Sequence, residues 1–155
     1  MTGPHALKPL LLAYPGPLRD QLVAAVLSGA KVSTTGLLAE FRVENEDLPE
    51  VGERSALIDS DGREVAVVEV TEVRVLPLGE VDLQHALDEG EGYTSVAEWR
   101  AAHERFWHSE EMREGLGDPH FTVDDTTMVV AERMRVVERL PLMRTVMPPR
   151  PPRLS

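Results

Sequence analysis

Residues 29–36 read GAKVSTTG, a glycine-bounded turn in which Lys31 precedes three consecutive hydroxyl residues, Ser33, Thr34 and Thr35. An amine beside a hydroxyl is the pairing from which a base-activated nucleophile is made. The chain has fourteen arginines and only two lysines, Lys8 and Lys31, so lysine at this position carries information. Arginine is a permanently charged fork, whereas lysine is a compact amine that burial can leave neutral and able to accept a proton. The plainer alternative is a solvated turn residue.

Three other groupings raise the same question. His103 falls in an apolar stripe with Val96, Trp99, Phe106 and Trp107, where a histidine reads as a core residue with a hydrogen-bond partner. Glu104 and His108 have the spacing of a metal pair, but two groups lack the third ligand that a zinc site needs; no metal and no cofactor are expected. Glu69 shares a strand face with Val65, Val67, Thr71, Val73 and Val75. A carboxylate there is costly unless paired, and a bulge would return it to solvent.

The elements that must position these groups follow from periodicity. A helix is expected over 18–28, with Leu18, Leu22, Ala25 and Val26 on one face and Gly29 as its stop, so the lysine turn begins where that helix ends. Two apolar runs flanking DSDGR predict strands over 54–59 and 64–76, joined by a hairpin with Gly62 where positive φ is needed. Residues 81–111 predict two helical pieces around the acidic, glycine-broken loop DEGEGY. Ser95 caps the second piece, and Glu98 completes a capping box. Residues 127–140, TMVVAERMRVVERL, alternate as a closing strand, with Val130, Glu132, Met134 and Val136 on one side and Arg133 and Arg135 on the other. The last fifteen residues are rich in proline and arginine, lack periodicity, and are expected to be disordered or extended. This order of elements is α+β with a small curved sheet.

A chain of 155 residues is the size of one domain, which buries roughly 70 % of its unfolded surface. The net charge is −11, and because the last fifteen residues carry three arginines and no acid, the body carries −14. That field repels polyanions. DNA is therefore not expected as a partner, any RNA contact must be local, and a small nucleoside-like ligand is penalised far less than a strand. The absence of cysteine removes disulfides and thiolate zinc sites. The N-terminal run LLLAY is broken by prolines on both sides and is neither a leader nor a span. A cytoplasmic protein without membrane contact is expected.

Four stretches in order, YPGPLRDQLVAAVLSGAKVSTTGLL, LPEVGERSALIDSDGREVAVVEVTEV, VDLQHALDEGEGYTSVAEWRAAHERFW and MVVAERMRVV, resemble the bacterial branch of the ASCH domain family. The resemblance implies a small PUA-like curved β-barrel with flanking helices over residues 13–140, between an N-terminal extension (1–12) and the tail (141–155), and an RNA-binding or RNA-modifying role. The family signature runs glycine, any residue, lysine, two residues, then commonly glutamate, any residue and arginine. Gly29 and Lys31 match it, while Thr34 and Gly36 stand in place of the glutamate and arginine, which removes one bidentate phosphate clamp. Members with threonine in the fourth position include small amidohydrolases. By that resemblance the trio is Lys31, Thr34 as nucleophile, and a carboxylate from DEGEG, either Glu89 or Glu91. Glu91 is favoured because it lies nearer the Ser95 helix, between Gly90 and Gly92, where backbone and ligand can approach closely. Tyr14, Trp99 and Arg100 are candidates for the pocket wall, as an aromatic face with a guanidinium suits a nucleobase.

Two functions emerge. The first is recognition of RNA or a nucleotide in a cleft between the Gly29–Lys31 turn and the Glu89–Glu91 loop, with Lys31 on phosphate. The alternative is hydrolysis of an acylated nucleoside by Thr34, with Lys31 as base. A third, plainer reading is an interaction domain without ligand, its tail docking a protein partner.

Overall fold

The computed structural model describes residues 7–141. Its elements run β1 (Lys8–Leu10), α1 (Pro17–Ser28), β2 (Ser33–Leu37), α2 (Leu38–Val43), β3 (Arg54–Ile58), β4 (Glu64–Pro77), a 3-10 turn (Leu78–Glu80), α3 (Leu83–Asp88), α4 (Val96–Trp107), α5 (Glu110–Leu116) and β5 (Met128–Arg139). The sheet order is β1-β3-β4-β5-β2, with β1 parallel to β3 and every other pair antiparallel. This is the expected α+β arrangement. The ladder ends at β1 and β2, which are not paired with one another among the described residues, so the sheet does not close into a barrel. The tail expectation falls on residues 142–155, outside those described, while Lys8–Leu10 of the expected N-terminal extension forms the edge strand β1.

Helix α1 begins with proline in its first turn and stops at Gly29, whose φ of 86° and N–H bonded to Val26 O make the left-handed cap that glycine adopts without strain. One core lies between α1 and the sheet, built on Leu22, Val23, Val26, Leu57, Val68 and Met134. A second gathers Leu37, Leu78, Trp99, Trp107, Met112 and Val129 beneath α3, α4 and α5.

The long strand β4 departs from simple alternation. Val65, Ala66, Val67 and Val68 are all buried, because this half of the strand is covered on both faces. Its register against β5 shifts between Val67 and Val68 and again between Val70 and Glu72, leaving Thr71 exposed. Glu69, between the two shifts, is stabilised by pairing: Arg54 Nε donates to it at 3.2 Å and Arg135 Nη2 at 2.8 Å. On β5, Val129, Val130 and Ala131 are likewise consecutive and buried.

Ser95 caps α4, its Oγ accepting from Glu98 N at 3.0 Å. The reciprocal half of the box is displaced by one residue, as Glu98 Oε1 accepts from the Thr94 N–H and hydroxyl at 2.7 and 2.8 Å. Glu104 and His108 are engaged separately, the first by Arg100 at 2.7 Å and the second by the Val123 N–H at 3.0 Å.

Candidate functional site

The turn after α1 and the loop after α3 are pressed together at the backbone. Val32 N–H donates to Asp88 O at 2.8 Å, and Ser33 Oγ donates to His85 O at 3.0 Å. Gly90, at φ +70°, sits so close that a Cβ there would lie 2.4 Å from Ala30 O and 2.6 Å from Lys31 N. Only glycine meets both the angle and the approach.

Lys31, 3 % exposed, is therefore delivered into the DEGEG loop. Its Nζ donates to Ser33 O at 2.8 Å and lies 3.6 Å from Glu89 Oε1 and 3.8 Å from Glu91 Oε2. The two carboxylates have different surroundings. Glu89 is buried and accepts on Oε2 from Thr35 Oγ1 at 2.6 Å and Trp99 Nε1 at 2.9 Å, with His103 Nε2 at 3.2 Å from Oε1 and His85 Nε2 at 3.4 Å from Oε2. Burial alone would raise its pKa, but the charges of His103 and Lys31 and the histidine hydrogen bonds hold it well below the usual carboxylate value. Glu91 accepts from Tyr93 OH at 3.3 Å, and its carboxyl meets that of Glu89. Burial pushes its pKa up, and the adjacent Glu89 adds to that against the pull of Lys31.

His103 is driven the opposite way from its burial. Desolvation would lower its pKa, yet Glu89, aided by the Trp99 carbonyl and Glu91, raises it. Its ring stacks on the Trp99 indole at 4.3 Å and 29°. The Tyr93 hydroxyl is also pushed up, by burial and then by the charges of Glu91 and Glu89.

These groups form one end of a cavity of about 170 Å³ to which Lys31, Thr34, Thr35, Glu89, Glu91 and His103 contribute. Its apolar wall comes from Leu12, Ala13, Leu18, Leu22, Ala102 and Phe106. Arg19, itself buried, fixes that wall: its Nε donates to Leu12 O at 3.0 Å and its Nη2 to Ala13 O at 2.6 Å, pinning Ala13 at φ 56°. Thr34 borders the cavity and its hydroxyl has no partner among the described residues. Alternation along β2 puts Ser33 and Thr35 on the face toward His85 and Glu89, and Thr34 on the other.

Of the residues expected at a site, Lys31, Thr34, Glu89 and Glu91 meet at this cavity. Trp99 is fully buried behind it, as the donor that holds Glu89. Tyr14 does not line it, but its ring packs 6.4 Å from that of Phe106. Gly29 caps α1 on the far side of the turn, and Arg100 points to Glu104 and Asp125. Thr35, His85 and Tyr93 were not read from the sequence as site residues. The one available signal was His85 four residues before Glu89, which places both on one helical face.

A mixed five-stranded sheet with helices set against it defines the class as a small α+β domain. The model of the ASCH domain matches residues 12–138, and the chain belongs to that family. Among solved structures, an ASCH domain from Lactobacillus crispatus JV V101 superposes with a TM-score of 0.75 at 23 % identity, covering 86 % of this chain and 81 % of its own. A protein of Enterococcus faecalis V583 gives 0.71 at 22 % identity, covering 85 % and 77 %. At such identities the likeness is one of fold. No curated protein matches the chain. No helix among the described residues is long and apolar enough to cross a membrane.

Proposed function

We propose that the chain is a small-ligand hydrolase, acting on an amide carried by a nucleoside or a similar compact molecule. The observation that carries this reading is the burial of Lys31 between two carboxylates in the wall of the cavity. A lysine that serves phosphate must reach solvent, whereas this one is sealed between two carboxylates in the wall of a cavity that Thr34 also borders. The cavity, about 170 Å³, falls below the roughly 300–1,000 Å³ that takes a drug-sized ligand and suits one base or acyl group. Thr34 supplies the attacking oxygen, and the Lys31 ammonium is placed to stabilise the charge developing on the carbonyl oxygen. The test is release of free nucleoside from N-acyl nucleosides by wild type, Thr34→Ala and Lys31→Ala. Equal rates in all three would end the assignment.

A second reading, recognition of a single nucleotide of an RNA, is favoured by the ring pair Tyr14–Phe106 next to the cavity, since unstacked bases are read on aromatic faces. It predicts oligonucleotide affinity that falls little with salt, because few phosphates would be neutralised. No binding at low salt would exclude it.

A further inference from the structure

The two carboxylates of the site differ in how many donors they hold, and the difference can be read from geometry. Glu89 is saturated: Thr35 and Trp99 donate to one oxygen, and His103 faces the other. Glu91 has one such donor, the Tyr93 hydroxyl at 3.3 Å; its carboxyl meets that of Glu89, and its second oxygen looks across 3.8 Å to Lys31. The protonation of His103 follows. Its Nδ1 is 2.9 Å from Trp99 O, a carbonyl that only accepts, so Nδ1 carries a hydrogen. Its Nε2 faces a carboxylate that already holds two other donors and stays ionised, so Nε2 carries one as well. The ring is then an imidazolium, and the stacked Trp99 indole offers a cation its favoured surface.

We propose that Glu91 is the proton carrier of the site, and that His103 is a positioning residue which fixes Glu89 as its permanent anion. Paired acids whose environments separate them divide the labour, one remaining charged and the other exchanging protons. The inference rests on the hydrolytic reading. In the first half, on an amide seated in the cavity that Thr34 and Glu91 both line, Thr34 Oγ adds to the acyl carbon while its proton passes to the Glu91 carboxylate. Collapse of the adduct breaks the C–N bond, and the departing nitrogen takes the proton from Glu91. In the second half, water adds to the Thr34 ester, gives a proton to Glu91, and Glu91 returns it to Thr34 Oγ as the carboxylic acid leaves. The sum is amide plus water to acid plus amine. The titratable groups facing Glu91 are Lys31, Glu89, His103 and Tyr93, and burial raises its pKa, which makes its carboxylate a stronger base.

The experiment combines pH profiles with NMR titration of the intact chain. Glu91→Gln is expected to remove the acidic limb of kcat/KM and lower kcat by roughly 10²-fold or more with KM little changed. His103→Gln should move that limb to higher pH, because Glu91 loses a nearby positive charge; a merely structural role would reduce amplitude and leave the limb in place. In wild type, both His103 ring nitrogens should show protonated ¹⁵N shifts at neutral pH, and the Glu91 carboxyl should titrate well above that of Glu89. A bare nitrogen on His103, or the reverse order of the two glutamates, overturns the proposal. If no acyl nucleoside is turned over, the hydrolytic reading fails, and the two titrations still decide the division between Glu89 and Glu91.

Discussion

Gly90→Ala probes the backbone contact on which the site depends. The substitution has two costs that can be separated. Holding an L-residue at φ +70° costs about 1–2 kcal/mol. The new Cβ would stand 2.4 Å from Ala30 O and 2.6 Å from Lys31 N, backbone atoms that cannot swing aside, and forced repacking of that kind costs about 1–3 kcal/mol. Together they give roughly 2–5 kcal/mol, or about 4–20 °C in Tm at 2–4 °C per kcal/mol for a chain of this size. Gly92→Ala is the control, since Gly92 has φ +89° but open space within 4 Å and meets only the first cost. Urea and thermal unfolding of both variants beside wild type isolate the close approach as their difference. If Gly90→Ala is no less stable than Gly92→Ala, the claim that the loop presses on the lysine turn is wrong.

Other outcomes can be checked in the same samples. Thr34→Ser should retain partial turnover of an acyl nucleoside and Thr34→Ala none, as serine keeps a hydroxyl; stability should change little in either. Because the folded-state pKa of Glu89 is depressed, its stabilisation is present above its unfolded value of about 4.3 and lost as pH falls through the folded one. Urea unfolding from pH 5 down to 2 should therefore weaken more steeply in wild type than in Glu89→Gln. For His103 the sign is opposite: its raised pKa contributes fully below about 6.5 and is lost as pH rises through the folded value, so His103→Gln should flatten the loss measured from pH 6 to 9. Arg19→Met should cost roughly 2–4 kcal/mol in urea unfolding, since it leaves two buried carbonyls without their charged donor. An effect under about 0.5 kcal/mol would mean that Arg19 does not hold the Leu12–Ala13 turn.

The sequence exposed the elements whose signals are local. The α1 stop at Gly29, the β3–β4 hairpin and the Ser95 cap all depend on turn or cap chemistry that acts within a few residues. Strand β1 escaped because three residues containing Pro9 carry no period and gain their structure from a parallel partner far along the chain. Helix α2 escaped for a similar reason, as six residues between Gly36 and an acidic turn are too few to show a face. Alternation misled in β4, where burial on both sides erases the polar rows. At the site, family resemblance named Lys31, Thr34 and the DEGEG loop, but gave no sign of Thr35, the hydroxyl that bonds Glu89. Its place is set by which face of β2 meets α3, a tertiary fact. Trp99 and Arg100 are neighbours in sequence, yet the helix turns one toward Glu89 and the other toward Asp125.

Glu89 is held by Lys31 from the turn, Thr35 from β2, His85 from α3, and Trp99 and His103 from α4. A residue with so many dependents is poor material for evolutionary change, because any replacement strands several buried donors at once, whatever ligand the cavity takes. One position of the opposite wall is under no such constraint. Leu18, 44 % exposed on α1, approaches the cavity as an aliphatic side chain outside the buried core, and it can be exchanged for another size or shape without disturbing that network. A change at that one helical position would thus reshape the cavity mouth while leaving the charged cluster as it is.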